Sequence, residues 1–306
     1  MRELILFIAI VVCSSNLIAD ILDEVTHKYA DNDGTRIHYV SIGQGPLVVM
    51  IHGFPDYWYS WRHQMSALKD HYQVIAIDQR GYNKSDQPKG VENYAMPLLV
   101  SDVVAVIKDT GASQATIVGH DWGGAVAWQV ALNLPQITRN LIILNLPHPN
   151  GLAREMRNNL EQRTNSGYAQ KFRQGKASDP DILGGGPMTA VRLSQWVQDK
   201  EAKQNYIDAF DRSSFSAMLN YYKANYPRLS DSQSDKAVSA PQLNMPVLMF
   251  HGLKDRALHS DGLNNTWDWV DQDLTIVTAP TAGHFVQQDA ADLVSKTMKS
   301  WLLDRR

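Results

Sequence analysis

Val118-Gly119-His120-Asp121-Trp122-Gly123-Gly124 is the stretch that decides how this chain folds. An apolar run, Ala115 to Val118, leads into it. A helical pattern, Ala125 to Leu132, leaves it and stops before Pro135. Strand, tight turn and helix, with small residues on both sides of one reactive side chain, form the layout of a nucleophile elbow. Gly119 and Gly123 have no Cβ, so the backbone can turn sharply and the residue between them can stand clear. Serine is usual at that point, and here it is Asp121. An aspartate before a helix can also be a plain N-cap, but glycines on both sides of a strand–helix turn favour the nucleophile.

Working outward, the same rhythm repeats. Short alternating runs, His27–Ala30 and Arg36–Val40, flank Asn32-Asp33-Gly34 and predict a hairpin. Pro46–Ile51 and Gln73–Asp78 are continuous apolar runs of the kind buried on both faces of a parallel sheet. Trp58, Trp61 and Met65 follow at helical spacing and read as core. Pro97–Asp109 is a helix with proline near its start. Leu141–Leu144, Pro246–Phe250 and Leu274–Val277 are further strands, and Phe285–Leu303 is a terminal helix. Between residues 150 and 242 no buried strand appears, only amphipathic helical patterns broken by Gly184-Gly185-Gly186-Pro187. The prediction is an α/β fold: a mostly parallel sheet flanked by helices, its core at 27–149 and 243–306, with a helical cap at 150–242 after the sixth strand.

Composition narrows the function. The 306 residues are 44% hydrophobic and 20% charged, the balance of an ordinary globule. A net charge of −3 gives no electrostatic case for nucleic acid or an anionic membrane. Met1-Arg2-Glu3, an apolar run to Val12 and a small residue at Ala19 read as a secretory signal peptide over residues 1–19, too short to span a bilayer. The expected location is therefore exported, periplasmic or secreted. Cys13, the one cysteine, falls within that leader, so the mature chain has no disulfide or thiolate nucleophile.

Where an elbow supplies the nucleophile, the acid and the histidine follow it in that order along the chain. Asp255 comes just after the Pro246 strand, and His284 just after the Leu274 strand. The alternative acid position, after the Leu141 strand, carries Asn145 and no adjacent carboxylate. His52, His120 and His148 beside these motifs read as hydrogen-bonding scaffold. A carboxylate nucleophile suits displacement at a strained or activated sp³ carbon, giving an alkyl ester of Asp121. Hydrolysis of that ester needs a water activated by His284 with Asp255. It also needs an oxyanion hole, for which the backbone N–H groups of Phe54 and Trp122 are the candidates. No cofactor and no metal is called for.

With these residues in hand, the chain resembles the α/β-hydrolase-fold epoxide hydrolases. The resemblance rests on His52-Gly53-Phe54-Pro55, Gly119-His120-Asp121-Trp122-Gly123-Gly124, Asn145-Leu146-Pro147-His148-Pro149 and Gly283-His284. It implies two cap tyrosines that hold and protonate the ring oxygen. Tyr168 and Tyr222 match those motifs, and Tyr221 stands next to the second. It also implies a small apolar epoxide and water as the reactants. Asn83 departs from the pattern, standing where these enzymes often have glycine. The insertion's Phe172, Trp196, Phe215 and Met218 are expected either to shape a substrate tunnel or to pack the cap. The nearest rival is a haloalkane or haloacetate dehalogenase with the same triad, in which the Trp122 indole could hold a halide. Dehalogenases often have Asn at the place of Phe54, or Arg at that of Trp122. A non-catalytic binding protein on the same fold is the rival from another class.

Overall fold

The computed structural model describes residues 21–226 and 242–305, and the expected leader lies outside them. After a short α1 (Ile21–Glu24), β1 (Thr26–Asn32) and β2 (Thr35–Ile42) form the hairpin. Asn32 pairs with Thr35, and Asp33 and Gly34 both have positive φ, 49° and 84°. That is what a two-residue turn matching the strand twist requires.

The chain then alternates. β3 (Leu47–Ile51) leads to a 3₁₀ turn (Trp58–Trp61) and α2 (Arg62–Leu68). Next come β4 (Gln73–Ile77), α3 (Met96–Asp109), β5 (Ala115–His120), α4 (Trp122–Asn133) and β6 (Thr138–Leu144). After an insertion, β7 (Val247–Gly252) and β8 (Leu274–Ala279) complete the sheet. The strand order is β1-β2-β4-β3-β5-β6-β7-β8. β2 pairs antiparallel with β1 and β4, and every later pairing is parallel. Every residue of β3, β5 and β7 is buried, because helices cover both faces of the sheet. Trp58, Trp61 and Met65 belong to this core.

The insertion between β6 and β7 holds α5 (Pro149–Asn158), α6 (Leu160–Asn165), α7 (Gly167–Gln174), α8 (Ala190–Leu193), α9 (Lys200–Asp211) and α10 (Phe215–Asn225). Among the described residues it contains no strand. The expected terminal helix is two helices, α11 (Val286–Asp289) and α12 (Ala291–Leu303). Ala290 breaks them, with φ −128° and ψ 43°. The break leaves α11 tied to the core by the Gln64 side chain, which donates to the Gln287 carbonyl at 2.9 Å.

Parallel strands end on one edge of the sheet, and that edge collects the chemistry. Gly53 and Phe54 follow β3, Asp121 follows β5, Asp255 follows β7 and His284 follows β8. Strand register makes these ends neighbours: Ile51 pairs with Gly119, Leu144 with Phe250, and Gly252 with Ala279.

Candidate active site

Asp121 joins β5 to α4 with φ 52° and ψ −121°, a conformation most side chains avoid. Packing on both sides imposes it. A Cβ on Gly123 would lie 2.0 Å from the Ile51 carbonyl oxygen, so α4 starts jammed against the end of β3. A Cβ on Gly53 would lie 2.3 Å from the Asp121 Cβ. The Asp121 side chain makes no cap hydrogen bond to α4. Its Oδ1 accepts the Phe54 N–H at 2.7 Å instead. Its Oδ2 stands 3.4 Å from His284 Nε2. Trp122 is the first residue of α4, so its N–H belongs to the helix's unpaired first turn.

Behind Asp121 runs a hydrogen-bonded relay. His284 Nδ1 lies 2.8 Å from Asp255 Oδ2. Asp255 Oδ1 accepts the N–H groups of Ala257 and Leu258 at 2.7 and 3.1 Å, which locks the carboxylate to its own loop. Asn145 Nδ2 donates to Asp255 Oδ2 at 2.7 Å and to the Gly283 carbonyl at 3.2 Å. His120 Nε2 donates to the His284 carbonyl at 2.7 Å. Burial alone would raise both aspartates, but the charge and hydrogen bonds of His284 hold Asp121 and Asp255 below the usual carboxylate range. Burial alone would lower His284, and the same two carboxylates overcome it and raise the imidazole to about 10.

The scaffold histidines are neutral. Burial lowers His52, His120 and His148 to about 4. His52 Nδ1 donates to the Gly53 carbonyl at 2.8 Å, and its Nε2 accepts the Gln79 N–H at 3.0 Å, which fixes the Phe54 loop. His148 lies flat on Trp269, ring centroids 4.5 Å apart. Asn83, at the position expected for glycine, has φ 44°. Its Nδ2 donates to Asp78 Oδ2 at 2.7 Å, and its Oδ1 accepts Arg212 Nε at 2.8 Å. Asparagine is one of the few residues that tolerates this left-handed geometry, and here it also ties the core to the cap.

A cavity of about 500 Å³ lies over Asp121. Asp121, Trp122, Leu146, Met156, Tyr168, Tyr222 and Leu258 are among its lining residues. Tyr222 on α10 stands edge-on to Trp122, ring centroids 5.1 Å apart, and beside Tyr168 on α7. The Tyr168 and Tyr222 rings are 6.3 Å apart, centre to centre, at 75°. Tyr222 is buried, and Tyr168 is 38% exposed but has its hydroxyl in the cavity lining; desolvation there and the nearby Asp121 charge push both phenols above their ordinary value, so both keep their protons at neutral pH. Tyr221 turns the other way, its hydroxyl donating to the Arg80 carbonyl at 2.8 Å inside the core. Phe172, Trp196, Phe215 and Met218 pack the cap and do not line the cavity. Phe172 wedges between Phe54 and Tyr222, at 5.3 and 5.2 Å. Trp196 stacks on Phe285 at 3.6 Å, Met218 is fully buried, and Phe215 packs against the core.

The structure brings the seven residues named from the sequence together, and adds contacts at three neighbours, Asn145, His120 and Tyr226. Asn145 reads in the sequence as a motif residue and as the lack of a carboxylate; its φ of 45° directly after β6 marks a constrained polar residue at that edge. His120 reads as scaffold in the sequence, and its partner, the His284 carbonyl, comes from the fold. Tyr226 lines the cavity one helical turn beyond Tyr222, a spacing visible in the sequence.

Comparison with known proteins agrees with this geometry. Residues 46–291 match the family model described as alpha/beta hydrolase fold. Epoxide hydrolase 1 of Caenorhabditis elegans is 32% identical, the match covering 92% of this chain and 72% of that protein. The chain belongs to the α/β-hydrolase-fold epoxide hydrolase family. Human epoxide hydrolase 4 is 29% identical, over 90% of this chain and 79% of that protein. Among solved structures, a Bacillus megaterium epoxide hydrolase bound to an inhibitor superposes with a TM-score of 0.81 at 28% identity, covering 90% of this chain and 99% of its own. An epoxide hydrolase from hot-environment metagenomes gives 0.80 at 30% identity, over 91% and 98%. As a member of the epoxide hydrolase family, the protein is a hydrolase. Among the described residues, no helix is long and apolar enough to cross a membrane.

Proposed function

We propose that the protein hydrolyses a small apolar epoxide to a vicinal diol through an alkyl ester on Asp121. The observation that carries this reading is the pair of protonated phenols, Tyr168 and Tyr222, lining an apolar cavity together with the Asp121 carboxylate. Phe54 occupies Asp121 Oδ1, which leaves Oδ2 as the attacking atom. A bond forms from Oδ2 to the less hindered epoxide carbon, and that carbon's bond to the ring oxygen breaks. The ring oxygen takes a proton from one tyrosine. Neutralising Asp121 removes one of the two charges that raise His284, so the imidazolium gives its Nε2 proton to solvent, regaining one when Asp121 ionises again, and the neutral imidazole that the second step requires forms. His284 then takes a proton from water as the water attacks Asp121 Cγ, with Asp255 holding the imidazole. The oxyanion on Oδ1 is met by the N–H groups of Phe54 and Trp122. Collapse breaks the Cγ–Oδ2 bond, the leaving alkoxide takes the proton from His284 and departs as the diol, and the Asp121 carboxylic acid gives its proton back to the phenolate.

The dehalogenase reading needs a free donor for a halide. Here the Trp122 indole packs edge-on against Tyr222, and two phenols able to protonate an alkoxide, Tyr168 and Tyr222, line the cavity with Asp121, which supports the epoxide. The binding-protein reading predicts a dispersed triad, whereas His284 lies within 2.8 Å of Asp255 and 3.4 Å of Asp121. The test is one turnover of styrene oxide in heavy-oxygen water. The first diol is expected to carry no label, because the water oxygen enters Asp121 and Asp121 Oδ2 leaves with the product. Labelled diol in that first turnover refutes the ester; bromide release from a bromoalkane without any diol refutes the epoxide. We also propose export with cleavage near Ala19, on the strength of the leader pattern. A mature mass that includes residues 1–19 refutes it.

A further inference from the structure

One buried side chain joins the core and cap walls of the cavity. Ala257 and Leu258 line it from the Asp255 loop, and Ser166 and Tyr168 line it from the cap. Between them lies Gln162 of α6, fully buried. Its Nε2 donates to the Ala257 carbonyl and to the Ser166 hydroxyl, each at 2.8 Å. Its Oε1 accepts the His259 N–H at 2.7 Å. Both ends of the amide are therefore bonded, as a buried amide must be to avoid a large desolvation cost. Packing alone would be served by an apolar side chain; bonds to two walls are what the amide adds.

Each end of this bridge sits next to a reacting group. On the core side, Ala257 gives its N–H to Asp255 Oδ1 and its carbonyl to Gln162. Leu258 gives its N–H to the same Asp255 oxygen, and His259 gives its own to Gln162. The loop is thus held from one side by Asp255 and from the other by Gln162. On the cap side, α7 starts from Ser166, whose carbonyl accepts the Ala169 N–H at 3.0 Å. Tyr168 is the second residue of α7. α6 has six residues, too few to hold a helix alone. Asn159 fixes its first turn, Oδ1 accepting the N–H groups of Glu161 and Gln162 at 2.9 and 3.2 Å. Gln162 fixes its end through Ser166. A second link spans the same gap, Glu161 Oε2 to His259 Nε2 at 3.5 Å, but the Glu161 side chain is 68% exposed, and such a pair contributes little.

We infer that Gln162 is a positioning residue that holds the Tyr168 helix and the Asp255 loop in one fixed relation. This rests on the epoxide reading above, in which Tyr168 serves ring opening and Asp255 serves ester hydrolysis. Losing the amide frees both ends at once, and a reacting group displaced by about 1 Å can cost about a hundredfold in rate.

The experiment follows the two steps separately in single turnovers of styrene oxide. Intact-protein mass after rapid quenching gives the rate at which the Asp121 ester forms and the rate at which it decays. Gln162→Met keeps the length of the side chain and removes its hydrogen bonds, and both rates are expected to fall by about tenfold or more. Ser166→Ala removes the bond on the cap side alone; ester formation is expected to slow about tenfold while ester decay keeps its native rate. Glu161→Gln weakens only the exposed link and is expected to leave both rates unchanged. Gln162→Met protein that melts lower but runs both steps at native rates makes the bridge merely structural and overturns the inference. Ser166→Ala protein that slows neither step, or both equally, overturns it too, and decides the matter if Gln162→Met does not fold. Native protein that forms neither ester nor diol overturns the epoxide reading itself.

Discussion

Replacing Asp255 by asparagine separates the two chemical steps. Asp255 receives four hydrogen bonds: from the Ala257 and Leu258 N–H groups, from Asn145 Nδ2 and from His284 Nδ1. Asparagine can keep the first two through its carbonyl oxygen. Its amide then faces two donors, Asn145 Nδ2 and His284 Nδ1–H. That clash costs about 1–3 kcal/mol of stability. More importantly, His284 loses the charge that holds its proton on Nδ1, and the other tautomer cannot take a proton at Nε2. In a comparable triad this change lowers turnover by about four orders of magnitude, or about 5 kcal/mol of barrier. In the proposed mechanism only ester hydrolysis uses that proton transfer; attack by Asp121 Oδ2 does not. Asp255→Asn is therefore expected to alkylate on mixing and then stall, with intact-protein mass rising by one substrate. Asn145→Asp on top of it returns a carboxylate one hydrogen bond away and is expected to recover part of the turnover. Equal slowing of alkylation and hydrolysis in Asp255→Asn would refute the division of labour, as would full native turnover.

Other outcomes follow from the same geometry. Tyr222→Phe and Tyr168→Phe are each expected to slow alkylation about a hundredfold, and the double variant further, because general acid catalysis contributes on that scale; rapid-mixing kinetics read it. Tyr221→Phe loses only the bond to the Arg80 carbonyl, so about 1 kcal/mol of stability goes in a denaturant titration while alkylation is kept. Gly123→Ala forces a Cβ to within 2.0 Å of the Ile51 oxygen, and both strand and helix are fixed there; soluble, folded Gly123→Ala protein by circular dichroism would contradict that packing. Burial pushes Asp56 up from 3.8 to about 7, against hydrogen bonds from Ser60 and Tyr57. The fold then binds that proton more tightly than the unfolded chain does, so this group's contribution falls as pH rises from near 4 to 7. Subtracting the melting curves of Asp56→Asn from the native ones isolates that slope, since the lowered His52, His120 and His148 slope the opposite way in the same window.

Sequence alone determined what depends on local order. Apolar run length and period gave the strands and helices, because burial on two faces leaves no exposed position in β3 or β5. The order Asp121, Asp255, His284 was readable because each follows a strand, and parallel strands deliver their ends to one edge. Short-range spacing could not say which way a helix turns its faces. Tyr221 and Tyr222 are adjacent and chemically alike, and only the rotation of α10 sends one hydroxyl to Arg80 and the other to the cavity. It could not separate lining from packing either: Phe172 and Met156 are equally apolar, but one fills the cap and the other faces the cavity. Pairings across long gaps were equally hidden. Asn145 and Asp255 are 110 residues apart and meet at 2.7 Å because β6 and β7 are neighbours in the sheet. The sequence therefore named the candidate groups, and the tertiary structure decided which atoms they present, because direction and distance arise only when separate elements pack.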